Sequence, residues 1–129
     1  MPIDSIQSNV PSIPNTQDYI RQGSAAVQAA VLPPRLVTAN GVALAFRQGV
    51  VQRFIQNCGT VPVKFLISKD PTDLATTDMF HGILAACTSV DDGLGSVLDF
   101  SKVVGQISIF GDGGAPRVCT YQAVEPFYV

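Results

Sequence analysis

Short runs of alternating apolar and polar residues, separated by turn residues, fill the chain from residue 35 onward. In the segment PVKFLIS, Val63, Phe65 and Ile67 fall on one side of the chain and Lys64 and Ser68 on the other, which is typical of a strand with one buried face. Comparable runs lie at 35–39, 42–47, 50–56, 79–87, 104–110 and 117–124. The pattern therefore predicts a mainly β protein, an antiparallel β-sandwich or barrel of about seven strands.

Turn residues predict how these strands connect. Asn40-Gly41 lies between RLVTA and VALAFR and accepts the positive φ angles of a type I′ turn, so it predicts a β-hairpin. The turn at 57–60 predicts a second hairpin-like pair between VVQRFIQ and PVKFLIS. The clusters at 69–73, 91–95 and 111–114 are predicted to be loops, and residues 74–78 a single helical turn or a loop.

The first part of the chain has a different character. Residues 1–34 contain Pro2, Pro11, Pro14, Pro33 and Pro34, and proline interrupts both helices and central strands. Residues 1–15 are predicted to be an extended strap. One short helix is predicted over 16–32, where apolar residues recur at steps of three and four before the two prolines. The predicted organisation is an arm over 1–34 and a β-sandwich body over 35–129.

The apolar residues of the strap are its candidate functional residues. Four of them are scattered among prolines and polar residues, too irregularly for a self-contained element, and the far end of the chain carries two neighbouring aromatic residues. We expect residues 1–15 to be ordered only through contacts with other chains. The candidate interface residues are Ile3, Ile6, Val10, Ile13, Phe127 and Tyr128.

Composition favours a protein that contacts other proteins. Apolar residues make up 47% of the chain and charged residues 14%, where about 25% charged residues is ordinary. Residues 1–65 carry five basic and two acidic side chains, whereas residues 66–129 carry three basic and eight acidic side chains. This uneven distribution is compatible with head-to-tail docking of copies and also with charge dispersed over the surface.

With a pI near 5.0, specific nucleic-acid binding is not expected. No long apolar run or leader pattern is present, so a membrane partner is not expected, and the predicted location is the cytosol or a structure assembled there.

The three cysteines, Cys58, Cys87 and Cys119, have no C-x-x-C spacing, so zinc ligation is not expected. Their odd number argues against a disulfide framework. They are predicted to be free thiols packed as small apolar side chains.

The remaining chemistry-bearing residues do not form a catalytic pattern. His81 is the single histidine and lies in an apolar segment, which favours a structural role over a general base. Asp91 and Asp92 precede Gly93 without the alternate carboxylates of a calcium loop, so they are predicted to stabilise a turn. No catalytic, cofactor-binding or metal-binding residue is assigned, and an enzyme is not expected.

The segment FIQNCGTVPVKF at 54–65 combines a strand, an Asn-x-Gly turn, Pro-Val and a second strand that ends in an aromatic residue. This segment resembles small virion structural proteins of tailed bacteriophages, the head-associated β proteins that decorate or cement a capsid. Further matches in kind are Phe80 with Gly82 to Ala86, the loop 91–95, residues 105–109 and residues 116–118. The resemblance covers residues 50–120, without the arm.

The resemblance implies a non-enzymatic virion protein, assembled in the host cytoplasm, that needs no cofactor and binds the major capsid protein. Contacts within a homo-oligomer or lattice are expected as well. A neck, head-fibre or minor shell subunit is the first alternative. A small ligand-binding β barrel or enzyme, working through His81 and the Asp91-Asp92 loop, is the second, and a non-viral interaction module is the third.

Overall fold

A computed structural model describes residues 29–128 of the chain. The described residues contain nine strands and end in a single 3-10 turn over Pro126–Tyr128. The strands are β1 (Ala30–Val31), β2 (Arg35–Val37), β3 (Gly41–Leu44), β4 (Val50–Asn57), β5 (Val63–Ser68), β6 (Gly82–Leu84), β7 (Val97–Ser101), β8 (Gln106–Gly111) and β9 (Val118–Val124).

The strands form two antiparallel sheets. One sheet has the order β1-β9-β4-β7, with β2 also paired to β9, and the other has the order β3-β8-β5-β6. Alternate residues of both sheets face a shared apolar core, so the predicted mainly β, sandwich-like architecture is confirmed. The core residues are Val37, Ala43, Leu44, Ile55, Val63, Phe65, Leu84, Ile107, Ile109 and Val118.

The two predicted hairpins are wrong. β2 pairs with β9 in one sheet whereas β3 pairs with β8 in the other, so Asn40-Gly41 carries the chain across the sandwich. The turn after β4 likewise leads to the opposite sheet, where β5 pairs with β6 and β8. Turn residues specify the local backbone conformation but not the sheet in which the next strand pairs. An apolar strand face is buried equally well when the next strand lies beside it in the same sheet or opposite it in the other sheet.

Two of the observed strands, β1 and β7, lie outside the segments predicted to be strands. β7 pairs with β4 and directs Leu98 and Phe100 toward the core, although its sequence directly follows the glycine-rich loop. β1 pairs with β9, so the end of the predicted helix over 16–32 is wrong: Ala30 and Val31 lie in a strand. The backbone of β9 provides hydrogen-bond partners for this segment, and Pro33-Pro34, which follow Leu32, prevent a helix from continuing. Residues 16–28 and the strap over 1–15 lie outside the described residues.

Asn57 joins the two sheets at the end of β4. Its side chain is fully buried, and Nδ2 donates to the carbonyl oxygens of Val61 at 2.8 Å and Leu84 at 3.1 Å. Oδ1 accepts a hydrogen bond from the N–H of Gly59 at 3.0 Å. This one amide thus provides hydrogen-bond partners for two backbone groups of the crossover to β5 and for a carbonyl group of β6 in the opposite sheet. A buried polar group without a hydrogen-bond partner would lower the stability of the fold.

We expect Asn57→Ala to lower the free energy of unfolding by about 3 kcal/mol, because it leaves buried backbone groups without partners. Urea denaturation measures the loss. Gln56→Ala is the matched control on the same strand, since the hydrogen bonds of Gln56 are long, at 3.4 and 3.5 Å, and partly exposed. The control is expected to stay within about 0.5 kcal/mol of the parent. Equal losses in the two variants would contradict the role given to Asn57.

Candidate interface

Arg53 lies in the middle of β4, four residues before Asn57, and its side chain points between the two sheets. It is fully buried, because it alternates in phase with Ile55 on the inner face of the strand. Its Nη1 donates to the carbonyl oxygen of Gly105 at 2.6 Å, its Nη2 to that of Ala45 at 2.5 Å, and its Nε to Oε1 of Gln122 at 3.0 Å. The guanidinium therefore joins the loop after β3 and the loop before β8 to β9.

The electrostatic environment of Arg53 is unfavourable to its charge. Burial and, to a smaller degree, the positive charge of Arg47 lower its pKa to about 10. The side chain remains charged at neutral pH, and its three partners within the described residues are neutral oxygens. A buried cation of this kind favours the approach of an anion.

Arg47 joins the loop between β3 and β4 to the end of the described chain. Its N–H donates to the carbonyl oxygen of Val104 at 3.0 Å, and its Nη2 donates to the carbonyl oxygen of Tyr128 at 2.8 Å. The N–H of Glu125 donates to the carbonyl oxygen of Gly49 at 2.8 Å, which adds a second link to the same loop. The aromatic turn over Pro126–Tyr128 is thus anchored at both of its ends.

Gly49 allows this anchoring. Its φ angle is +76°, which favours glycine, and a Cβ atom at this position would lie 2.2 Å from Cδ2 of Tyr128. The ring of Tyr128 therefore packs directly over the glycine backbone. Phe127 stands edge-on to Tyr128, with ring centroids 6.4 Å apart, and is 93% exposed.

The aromatic end of the sandwich, as we use the term, comprises Phe46, Arg47, Val104, Phe127 and Tyr128. Phe46 is 51% exposed and Tyr128 42% exposed, and the three segments that carry these residues are joined by the backbone hydrogen bonds given above. A protein surface that exposes several large apolar side chains at one place is typical of a protein-binding site.

A pocket of about 210 Å³ opens beside the aromatic end. Two of its lining residues are arginines and none is acidic, and Ala45 and Gln122 in its wall are also partners of the buried Arg53. The pocket can therefore accept a carboxylate or another small anion. Its lining residues are Pro33, Arg35, Leu44, Ala45, Phe46, Arg47, Thr120 and Gln122.

The structure places two of the six candidate interface residues, Phe127 and Tyr128, on one exposed turn. Ile3, Ile6, Val10 and Ile13 lie outside the described residues. The arginines were missed as a group, although one signal was present in the sequence. The alternation of β4 puts Arg53 in phase with Ile55, which indicates a buried cation.

His81 has a structural contact. Its N–H donates to the carbonyl oxygen of Phe65 at 2.7 Å, and its Nδ1 accepts the N–H of Ile67 at 2.9 Å, so the histidine continues the ladder beside β5. Asp92 stabilises its turn as predicted, since its carboxylate accepts the N–H groups of Ser89 and Leu94, each at 2.8 Å.

Asp91 has a different partner from Asp92. It forms an ion pair with Arg117 at 2.7 Å, and this contact holds the pKa of the carboxyl below its usual range. Across residues 29–128, no three His, Cys, Asp or Glu side chains are grouped to hold a metal ion. The same residues contain no helix long and apolar enough to cross a membrane.

Comparison with protein-family models, with curated proteins and with solved structures gives no match for this chain.

We expect Gly49→Ala to displace the ring of Tyr128, because the new Cβ would overlap it. Gly93→Ala is the matched control: Gly93 has a similar φ angle of +81° and no heavy atom within 4 Å of the new Cβ. Both variants carry the backbone cost of about 1–2 kcal/mol. Gly49→Ala should lose about 1 kcal/mol more and change the NMR signals of the Phe127 and Tyr128 rings. Unchanged ring signals in Gly49→Ala would show that the glycine does not position the turn.

Proposed function

We propose that this chain is a non-enzymatic virion structural protein that binds the capsid shell as a decoration or cement protein. The observation that carries the proposal is the exposure of Phe127 on an anchored turn. An aromatic side chain that is ordered before binding loses little conformational freedom when a partner covers it, and aromatic residues dominate the binding energy of many interfaces.

The charges beside this turn specify the partner further. Arg35 and Arg47 line the pocket, and the buried Arg53 adds a third positive charge behind its wall. A partner that inserts a carboxylate there would form a desolvated, charge-assisted contact next to the aromatic contact. We therefore propose that the partner surface combines an apolar socket for Phe127 with an acidic side chain for the pocket.

The choice of the capsid shell as partner rests on the resemblance of residues 50–120 to head-associated phage proteins. The location in the virion and the major capsid protein as partner are proposals on the same basis. A decoration protein covers the shell in many copies, whereas a neck, head-fibre or minor shell subunit is present in few copies at defined places. Quantification of the protein per purified particle distinguishes these roles.

A small ligand-binding β domain is the alternative that a specific observation favours. The pocket of about 210 Å³ has a volume and a pair of arginines suited to a small carboxylate or phosphate compound. In that case the ligand would occupy the pocket in the isolated protein, and the exposed ring of Phe127 would have no part in binding.

We expect Phe127→Ser to lower the affinity for capsid shells at least tenfold, because the substitution removes the central apolar contact. Its stability should stay within about 0.5 kcal/mol of the parent, since the side chain is exposed. Leu94→Ser is the matched control: Leu94 is 71% exposed and lies near the Asn57 end of β4. Co-sedimentation with shells stripped of the protein measures binding. Equal binding by Phe127→Ser and the parent would refute the proposed interface.

We also expect deletion of residues 2–15 to weaken association with shells while the sandwich stays folded, because the described core is built from residues 37–118. Circular dichroism and thermal unfolding check the fold, and co-sedimentation checks the binding. A truncated protein that still reaches full occupancy on shells would end the proposal that the arm is an interface.

A further inference from the structure

Cys58 and Cys119 lie in contact on the outer face of the five-stranded sheet. Their Sγ atoms are 2.7 Å apart, although 61 positions separate them in the sequence. Cys119 is on β9, opposite Gln56 of β4, and Cys58 directly follows β4. The N–H of Cys58 donates to the carbonyl oxygen of Arg117 at 2.8 Å, so the strand pairing continues past β4 and places Cys58 diagonally beside Cys119.

The backbone therefore holds the two thiols together. A disulfide bond is about 2.05 Å long and joins cysteines on adjacent segments whose Cβ atoms face each other. The two sulfur atoms need to approach by less than about 1 Å from their present distance, a movement that rotation about the two Cα–Cβ bonds supplies. Nothing in the sequence spacing of the cysteines indicated this pair.

The two thiols differ in exposure. Cys58 is buried and Cys119 is partly exposed, so an oxidant in solution reaches Cys119 first. Burial and the hydrogen bond with Cys119 raise the pKa of Cys58 to about 11, which keeps Cys58 protonated at neutral pH. The charged groups beside the pair are Asp91 and Arg117, which bind each other at 2.7 Å.

We propose that Cys58 and Cys119 are an oxidation site, at which a low-molecular-weight disulfide such as oxidised glutathione joins them in an intramolecular disulfide bond. The thiolate of Cys119 attacks one sulfur of oxidised glutathione, forms a mixed disulfide and releases one glutathione thiolate. Cys58 loses its proton to solvent and attacks Sγ of Cys119, which releases the second glutathione. Two protein thiols and one oxidised glutathione yield one protein disulfide and two reduced glutathione molecules.

The bond would connect the two strands at the centre of the five-stranded sheet. It would close a long loop that contains β5, β6, β7 and β8, and closing a long loop restricts the unfolded chain strongly. We therefore expect oxidation to raise the unfolding temperature of the folded domain without changing its fold. A shift on the order of 10 °C is expected for a domain of this size.

The third cysteine provides the control. Cys87 is buried, and its thiol donates to the carbonyl oxygen of Asn57 at 3.3 Å, so it has a hydrogen-bond partner of its own. We expect Cys87→Ser to retain the oxidation response, whereas Cys119→Ser and Cys58→Ser lose it. Cys119→Ser is the main test, because the partial exposure of Cys119 lets the variant fold.

The experiment uses the full chain, purified under reducing conditions and then equilibrated with oxidised glutathione. Alkylation in denaturant followed by mass spectrometry counts the free thiols, and peptide mapping identifies the linked pair. One free thiol, a Cys58–Cys119 link and a higher unfolding temperature that dithiothreitol reverses are expected. Three free thiols at equilibrium, a link that includes Cys87, a dimer linked through Cys119, or an oxidised parent that unfolds at the temperature of the reduced one would each overturn the proposal.

Discussion

The pairing of β4 with β9 is the interaction on which the rest of the structure depends. β9 pairs with β1, β2 and β4, and β4 pairs in addition with β7, so these two strands hold the whole five-stranded sheet together. Their register also assigns every side chain to a face. It directs Arg53, Ile55 and Asn57 inward, and it stacks Phe54 on Tyr121 outside, with ring centroids 5.0 Å apart. A shift by one residue would exchange the two faces and expose the core side of both strands.

Arg53, in the middle of β4, and Asn57, at its end, stabilise this pairing by different means. Asn57 is neutral, and its amide satisfies three backbone groups at little electrostatic cost. Arg53 forms as many hydrogen bonds but brings a positive charge into the interior, with Arg47 nearby. A hydrophobic residue of similar volume at that position would avoid the desolvation penalty that the buried charge brings to folding. In the proposed interface, an anionic group of the partner would compensate this positive charge.

The sequence predicted local structure better than it predicted connections. Alternation identified β5 and placed Val63 and Phe65 in the core, but it predicted one buried face, whereas Lys64 and Leu66 on the other face are buried as well. It did not show that β2 and β3, joined by Asn40-Gly41, belong to different sheets, because both arrangements bury the same residues. Phe127 and Tyr128 were predicted as interface residues because they are neighbouring aromatic residues in the tail, which the resemblance places across neighbouring subunits. The pocket with its arginines and the thiol pair were not predicted, since each brings together residues from distant positions. The pocket is lined from β2, β3 with the loop after it, and β9, whereas the thiol pair depends on the pairing of β4 with β9.

The position of the thiol pair gives the proposed oxidation a meaning for the proposed function. Cys58 and Cys119 flank the same strand pair that positions the aromatic end, where β9 leads directly into the turn that presents Phe127. A protein that folds in a reducing cytoplasm forms this pairing with free thiols. Exposure to an oxidising exterior would then join β4 to β9 covalently after assembly. Local opening of the central strands would become rarer, and the dissociation of a partner that requires such opening would slow.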